Sequence, residues 1–153
     1  MNPEEEQPVK SYVGKIPQYN LFDNIPELHP RTGVVQKVFR GTGVGVSYAE
    51  LHPDMAPSPH SHPWEQIFVL LKGRVKLHVD DQVFDMEAGS VVRIPPNAVH
   101  YSEPPRPEDG VALNLDIFTP LRPDFLALTQ YQTDDFGTSV SRALAATPAG
   151  QPA

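Results

Sequence analysis

Three histidines and a glutamine stand where they could hold a metal ion. His60 and His62 form an H-x-H pair. On a strand, residues i and i+2 share a face, so both imidazoles can reach one point. Gln66 lies four residues further on, at the same parity. Glu65 is one residue off and faces the other way if the strand is regular; a bulge near Pro63 would bring Glu65 in instead. His100 follows the Gly89 and Pro95-Pro96-Asn97 turns and closes the set from a neighbouring strand. Neutral imidazoles suit Zn, Fe, Ni, Cu or Mn. A single histidine is more often a surface or core residue, so the spacing carries the reading. Three imidazoles and an amide are all neutral and leave a divalent ion its full charge. A glutamate ligand would halve it, so a Gln66 site is the stronger Lewis acid.

Further along, VALNLDIF (111–118) places Val111, Leu113, Leu115 and Ile117 on one face. Ala112, Asn114, Asp116 and Phe118 share the other. Two polar residues in mid-strand mean either a solvated face or a polar cavity. An inward Asp116 needs a partner, because a buried unpaired carboxylate is costly. There it would move protons as general acid or base. Arg122 follows closely. At a pocket mouth it would grip a carboxylate bidentately; its plainer reading is a surface arginine flanking a helix. Arg93 reads as an ion-pair partner on an outer strand face. Trp64 and Phe68 share parity with the histidine pair and could wall a pocket, though plain core packing is the commoner reading of such residues. Tyr48 and Tyr101 are weaker candidates for the pocket wall, and core packing is their commoner reading. His29, His52 and His78 read as non-ligands. GTGVG (41–45) lacks the Gly-Lys-Ser/Thr ending that a phosphate loop requires.

Composition bounds what can position these groups. The 153 residues fit one domain, with 39% hydrophobic residues to build a core and 20% charged. No apolar run approaches the roughly 18 residues of a membrane span. Lys+Arg is 12 against Asp+Glu 19, a net charge of −7, which argues against nucleic acid as a partner. Cysteine is absent, so disulfides, thiolate metal sites and a cysteine nucleophile are excluded. The acidic start, MNPEEEQ, is unlike a signal peptide and points to the cytoplasm. Eighteen prolines are over twice the usual share of about 5%. Proline breaks helix interiors and sheet centres, so short strands and fixed turns are expected.

Strand signals are dense between the ends. They cover 34–39, 43–51, 67–71, 74–79, 83–87, 90–94 and 111–118, with turns at Gly73, Asp80-Asp81, Gly89 and 95–97. Pro123 and Asp124 suit the first turn of a short helix ahead of FLAL. The reading is an all-β sandwich or small barrel with one short C-terminal helix. Residues 1–10 read as a flexible N-terminal segment, 11–137 as the single domain, and 138–153 as a flexible tail. The outward faces of 67–71 and 111–117 are too apolar for open solvent, which suggests a homodimer.

HSHPWEQIFVLLKG reads H-x-H-x3-Q-x6-G, and GSVVRIPPNAVH reads G-x5-P-x-N-x2-H. Together they resemble the two signature motifs of the cupin superfamily, over roughly residues 34–118. The resemblance implies a cupin double-stranded β-helix, a jelly-roll β-barrel. Asp54 replaces the leading glycine of the first motif. Asn97 replaces a glycine of the second, and Pro104 its closing asparagine. Gln66 stands at the usual glutamate position. HSHPWEQ together with DIFTPLRPDFL (116–126) is similar to a narrower group, the KdgF-type cupins of pectin degradation. That resemblance implies one divalent transition metal (Zn, Ni, Mn or Fe) on His60, His62, Gln66 and His100, with Asp116, Phe118 and Arg122 in catalysis. It implies a small anionic substrate such as a 4,5-unsaturated uronate, and non-redox isomerisation, ring opening or elimination. Two other readings stand beside it: an iron-dependent cupin dioxygenase, and a non-enzymatic cupin that binds a small molecule.

Overall fold

A computed structural model describes residues 16–132. The expectations for 1–10 and 138–153 lie outside the described residues. Nine strands form two antiparallel sheets. The larger is built from β1 (Leu28–Arg31), β2 (Val34–Arg40), β3 (Gly45–Leu51), β4 (Glu65–Lys72), β7 (Val91–Ile94) and β9 (Ala112–Thr119). Its order is β1-β2-β3-β9-β4-β7. The smaller holds β5 (Arg74–Val79), β6 (Gln82–Glu87) and β8 (His100–Ser102), in the order β6-β5-β8. One short helix, α1 (Asp124–Leu128), follows β9. This is the all-β class with a short C-terminal helix, as expected.

Alternation decides which residues face inward. On β4, Gln66, Phe68 and Leu70 are buried while Ile67 and Val69 are only half-buried. On β5, Val75, Leu77 and Val79 are buried opposite exposed Arg74 and Lys76. One core cluster joins both sheets through Leu51, Phe68, Leu70, Leu77, Val79 and Ile94. A second, of Val38, Phe118, Leu121 and Phe125, seats α1 under the end of the barrel. Gly45 makes that seat possible: a Cβ there would lie 2.5 Å from the Phe125 ring.

The second-motif turn shows why its glycine can be replaced. Asn97 has φ 67°, in the left-handed region that asparagine enters more readily than most residues. Its N–H donates to the His62 carbonyl at 2.8 Å, tying the two motifs together.

Three elements differ from the sequence reading. His60 and His62 are not on a strand. They sit in the irregular stretch before β4, where His60 makes a single bridge with His100. Prolines 57, 59 and 63 interrupt that stretch and remove ladder donors. β1 was not read as a strand because LHPR is short, half-polar and contains a proline; it is an edge strand, where proline is tolerated. β8 is only three residues long, too short for an alternation to register.

The N-terminal stretch covers part of the outer face. Phe22 meets Tyr48 edge-on at 6.0 Å, and Lys37 Nζ donates to the Leu21 carbonyl at 2.8 Å. Tyr48 is therefore packed on the outside of the sheet, away from the cavity.

Candidate metal centre

His60, His62 and His100 converge at one end of the barrel. One ring nitrogen from each lies within 4.8 Å of the others. The backbone makes this happen. The N–H of His60 donates to the His100 carbonyl at 3.2 Å, and that of His100 returns to His60 at 2.9 Å. The ring centroids of His60 and His100 are 4.3 Å apart, and those of His62 and His100 4.8 Å.

Each ring is oriented by a carbonyl two residues away. Nδ1 of His60 contacts Ser58 O at 2.7 Å, His62 Nδ1 contacts Trp64 O at 2.9 Å, and His100 Nδ1 contacts Ala98 O at 2.9 Å. A carbonyl can only accept, so each Nδ1 carries the proton. In the neutral ring Nε2 then carries a lone pair. His100 Nε2 is buried with no hydrogen-bond partner. Burial holds His100 down to about 4, with His60, His62 and Arg122 adding to the effect. Burial lowers His62 as well. Both rings are thus neutral at pH 7.

Gln66 completes the set from β4, where it is 5% exposed. Its Nε2 donates to Asp116 Oδ1 at 2.7 Å. An ionised carboxylate fixes the amide that way round, which leaves Oε1 facing His62 Nε2 at 3.0 Å. Two acceptor atoms at that distance repel unless a cation lies between or beside them. The donor chemistry therefore fits a metal ion on His60, His62, His100 and Gln66. Glu65 points the other way and pairs with Arg93 at 2.8 Å on the outer face. The register of Gln66 with both Ile94 and Phe118 leaves no bulge at this point of β4.

Asp116 lies inward on β9, with its carboxyl facing a cavity of about 490 Å³. Burial pushes its pKa up to about 6, against hydrogen bonds from Asn114 and Gln66 and the charge of Arg122, which lower it. The solvated-face reading of β9 thus gives way to the cavity reading. Phe118 meets His62 edge-on at 5.6 Å. Arg122 covers this end of the cavity. Its guanidinium lies 4.6 Å from the Phe118 ring centroid, 4.9 Å from Trp64 and 5.2 Å from Phe125.

Sequence reasoning missed two participants. Asp124 holds Arg122 through Oδ1 to Nε at 3.1 Å and Oδ2 to Nη2 at 2.9 Å. Phe125 lies beneath the same guanidinium. In the sequence Asp124 reads as a helix N-terminal residue and Phe125 only as part of the helical FLAL stretch, and each is also that. Their proximity to the site needs the turn at 119–123, which no spacing predicts. Ser102 and Asn114 also line the cavity.

A cupin-domain family model matches residues 47–117, which takes in both histidine stretches and β9. The chain carries a cupin domain. No curated protein sequence matches the chain. Among solved structures, this cupin resembles an RmlC-like cupin from Shewanella frigidimarina, with a TM-score of 0.64 and 17% identity over 72% of this chain and 96% of the other. KdgF from Halomonas sp. aligns with a TM-score of 0.63 and 16% identity, over 71% of this chain and 99% of the other. Hydroxypropylphosphonic acid epoxidase from S. wedmorenis gives 0.56 and 13%, over 62% and 55%. At these identities the likeness shows the shared cupin fold.

Proposed function

We propose that this cupin is a metal-dependent enzyme that moves protons, without net redox change, on a small carboxylate-bearing sugar acid or keto acid. A 4,5-unsaturated uronate is the favoured substrate. One observation carries the reading: a single amide, Gln66, bridges the histidine cluster and a half-buried, cavity-facing carboxylate with a raised pKa. A divalent ion on His60, His62, Gln66 and His100 would supply Lewis acidity toward a substrate oxygen. Arg122 binds the substrate carboxylate at the mouth. Asp116 faces the cavity beside Gln66, where its carboxylate can take a proton at one atom and return it at another. Phe118 packs beside His62 and under Arg122, and keeps water from the reacting atoms.

For an unsaturated uronate the step balances as an isomerisation. A proton leaves the C1 hydroxyl, and the C1–O5 bond breaks to give an aldehyde. C4 gains a proton as C5 becomes a ketone. No electrons enter or leave.

The test joins elemental analysis to turnover. Wild type should hold close to one divalent ion per chain, and His100→Ala should lose it. Asp116→Asn should keep the ion and lose about 10²–10⁴-fold in turnover of an unsaturated uronate. Full turnover by Asp116→Asn would remove that residue from the chemistry. Stoichiometric iron with oxygen consumption would replace this reading by the dioxygenase one. Ligand-induced stabilisation with no chemical change in the ligand would favour a binding module.

A further inference from the structure

The cavity continues past Asp116 into a polar patch that proton transfer does not use. Along β9 the inward residues run Phe118, Asp116, Asn114, away from Arg122. Asn114 is 2% exposed. It hydrogen-bonds the Asp116 carboxyl, which accepts from its amide nitrogen. The carbonyl oxygen, Oδ1, is buried without a hydrogen-bond partner among the described residues. Ser102, from the other sheet, lines the same cavity, and its Oγ is also buried without a partner.

Strand register explains why there is room. Gln36, Ala49 and Asn114 lie side by side in one row across β2, β3 and β9. Ala49 is the smallest member, so the two amides flank a gap. Gln36 also lines the cavity, and its amide donates to Ser47 Oγ at 2.8 Å. The neighbours of this patch are apolar: Leu70 is 0% exposed and Leu77 1%. A buried acceptor and a buried hydroxyl left unsatisfied in an apolar core are each unfavourable by about 1–3 kcal/mol. Polar atoms aimed into a cavity are satisfied by what enters it.

We propose that Asn114, Ser102 and Gln36 form the hydroxyl-binding end of the substrate site, taking the hydroxyl groups on the side of a sugar-acid ring away from its carboxylate. Asn114 Oδ1 accepts from one hydroxyl. Ser102 Oγ donates to or accepts from another. Arg122 at one end and this patch at the other then set the ring's direction in the cavity. The patch selects polyhydroxylated acids over apolar acids of the same size. It rests on the sugar-acid reading above, and its test needs no turnover.

The test is calorimetric titration of the protein as purified, with its metal content measured. Two probes are used: D-galacturonate, a saturated hydroxylated acid, and cyclohexanecarboxylate, a ring carboxylate with no hydroxyl group. Ser102→Ala and Asn114→Leu should each weaken D-galacturonate by about three- to tenfold and leave cyclohexanecarboxylate unchanged. Ser102 Oγ holds no hydrogen bond among the described residues, so its alanine variant should fold as wild type does. Asn114→Leu is checked by its metal content and melting temperature. Unchanged D-galacturonate affinity in Ser102→Ala overturns the proposal. So does equal weakening of both probes, or a wild type that does not prefer D-galacturonate. Hydroxyl-dependent binding without turnover of an unsaturated uronate would keep this subsite and discard the reaction.

Discussion

Asp116 and His100 are driven in opposite directions by the same burial. His100 sits at about 4 in the folded chain, below the ordinary histidine value near 6.5. Between those values the unfolded chain binds more protons. Its contribution to stability is therefore complete above about 6.5 and lost as pH falls toward 4. Asp116 is raised from 3.8 to about 6. Between those values the folded chain binds more protons, so its contribution is present below 3.8 and lost as pH rises through 6. In the ion-free protein Asp116→Asn should then be stabilising above pH 6, by roughly 1–3 kcal/mol. Denaturant unfolding at pH 5 and pH 8 measures this, and the gain should be larger at pH 8. A variant that gains stability while losing turnover marks a residue kept for its chemistry. The sequence made this residue legible, because two polar residues on one face in mid-strand, Asn114 and Asp116, are conspicuous. Its partners were less so: nothing in the spacing says that Gln66 Nε2 reaches Asp116 fifty residues away.

β5 was readable because its polar and apolar residues alternate, and β4 and β9 because their apolar runs are long and bounded by turns. β1 and β8 were not. Short edge strands carry too few residues for a period to show. The histidine pair fell between these cases. The H-x-H spacing pointed to one site, yet the geometry comes from a proline-rich stretch pinned by His100 and Asn97 rather than from a strand. α1 was visible through Pro123 and Asp124, but its seat was not. Phe125 packs on the backbone of Gly45, with no space for a methyl group. Gly45→Ala should destabilise the protein by about 1–3 kcal/mol. It should also shift Phe125 from beneath Arg122, so the Michaelis constant for an anionic substrate should rise. Thermal melting and steady-state kinetics read the two effects separately.

At the scale of the whole molecule, one sheet face is unevenly covered. Residues near Phe22 shelter the outside of β2 and β3. Outside β4, β7 and β9, the half-buried Ile67, Val69, Leu113 and Leu115 adjoin Leu71 at 49% exposure and Val91 at 60%. A patch of this kind marks a protein interface more often than open surface. Sedimentation should find a dimer at micromolar concentration, and Val69→Lys should shift it to monomer while leaving metal content intact. A monomeric wild type would refute the dimer. Among the described residues no helix is long and apolar enough to cross a membrane.

The three imidazole protons committed to Ser58, Trp64 and Ala98 have one more consequence. Those bonds close when the chain folds, so no ring needs to swing or change tautomer when an ion arrives. Chelation should leave the amide spectrum of the protein nearly superimposable on that of the loaded form, with changes confined to the neighbours of the histidines. The melting temperature should still fall, because an ion bound only by the native state adds stability by mass action. Shape and stability would come apart: the mould keeps its form when the casting is removed, and only its resistance to heat records the loss.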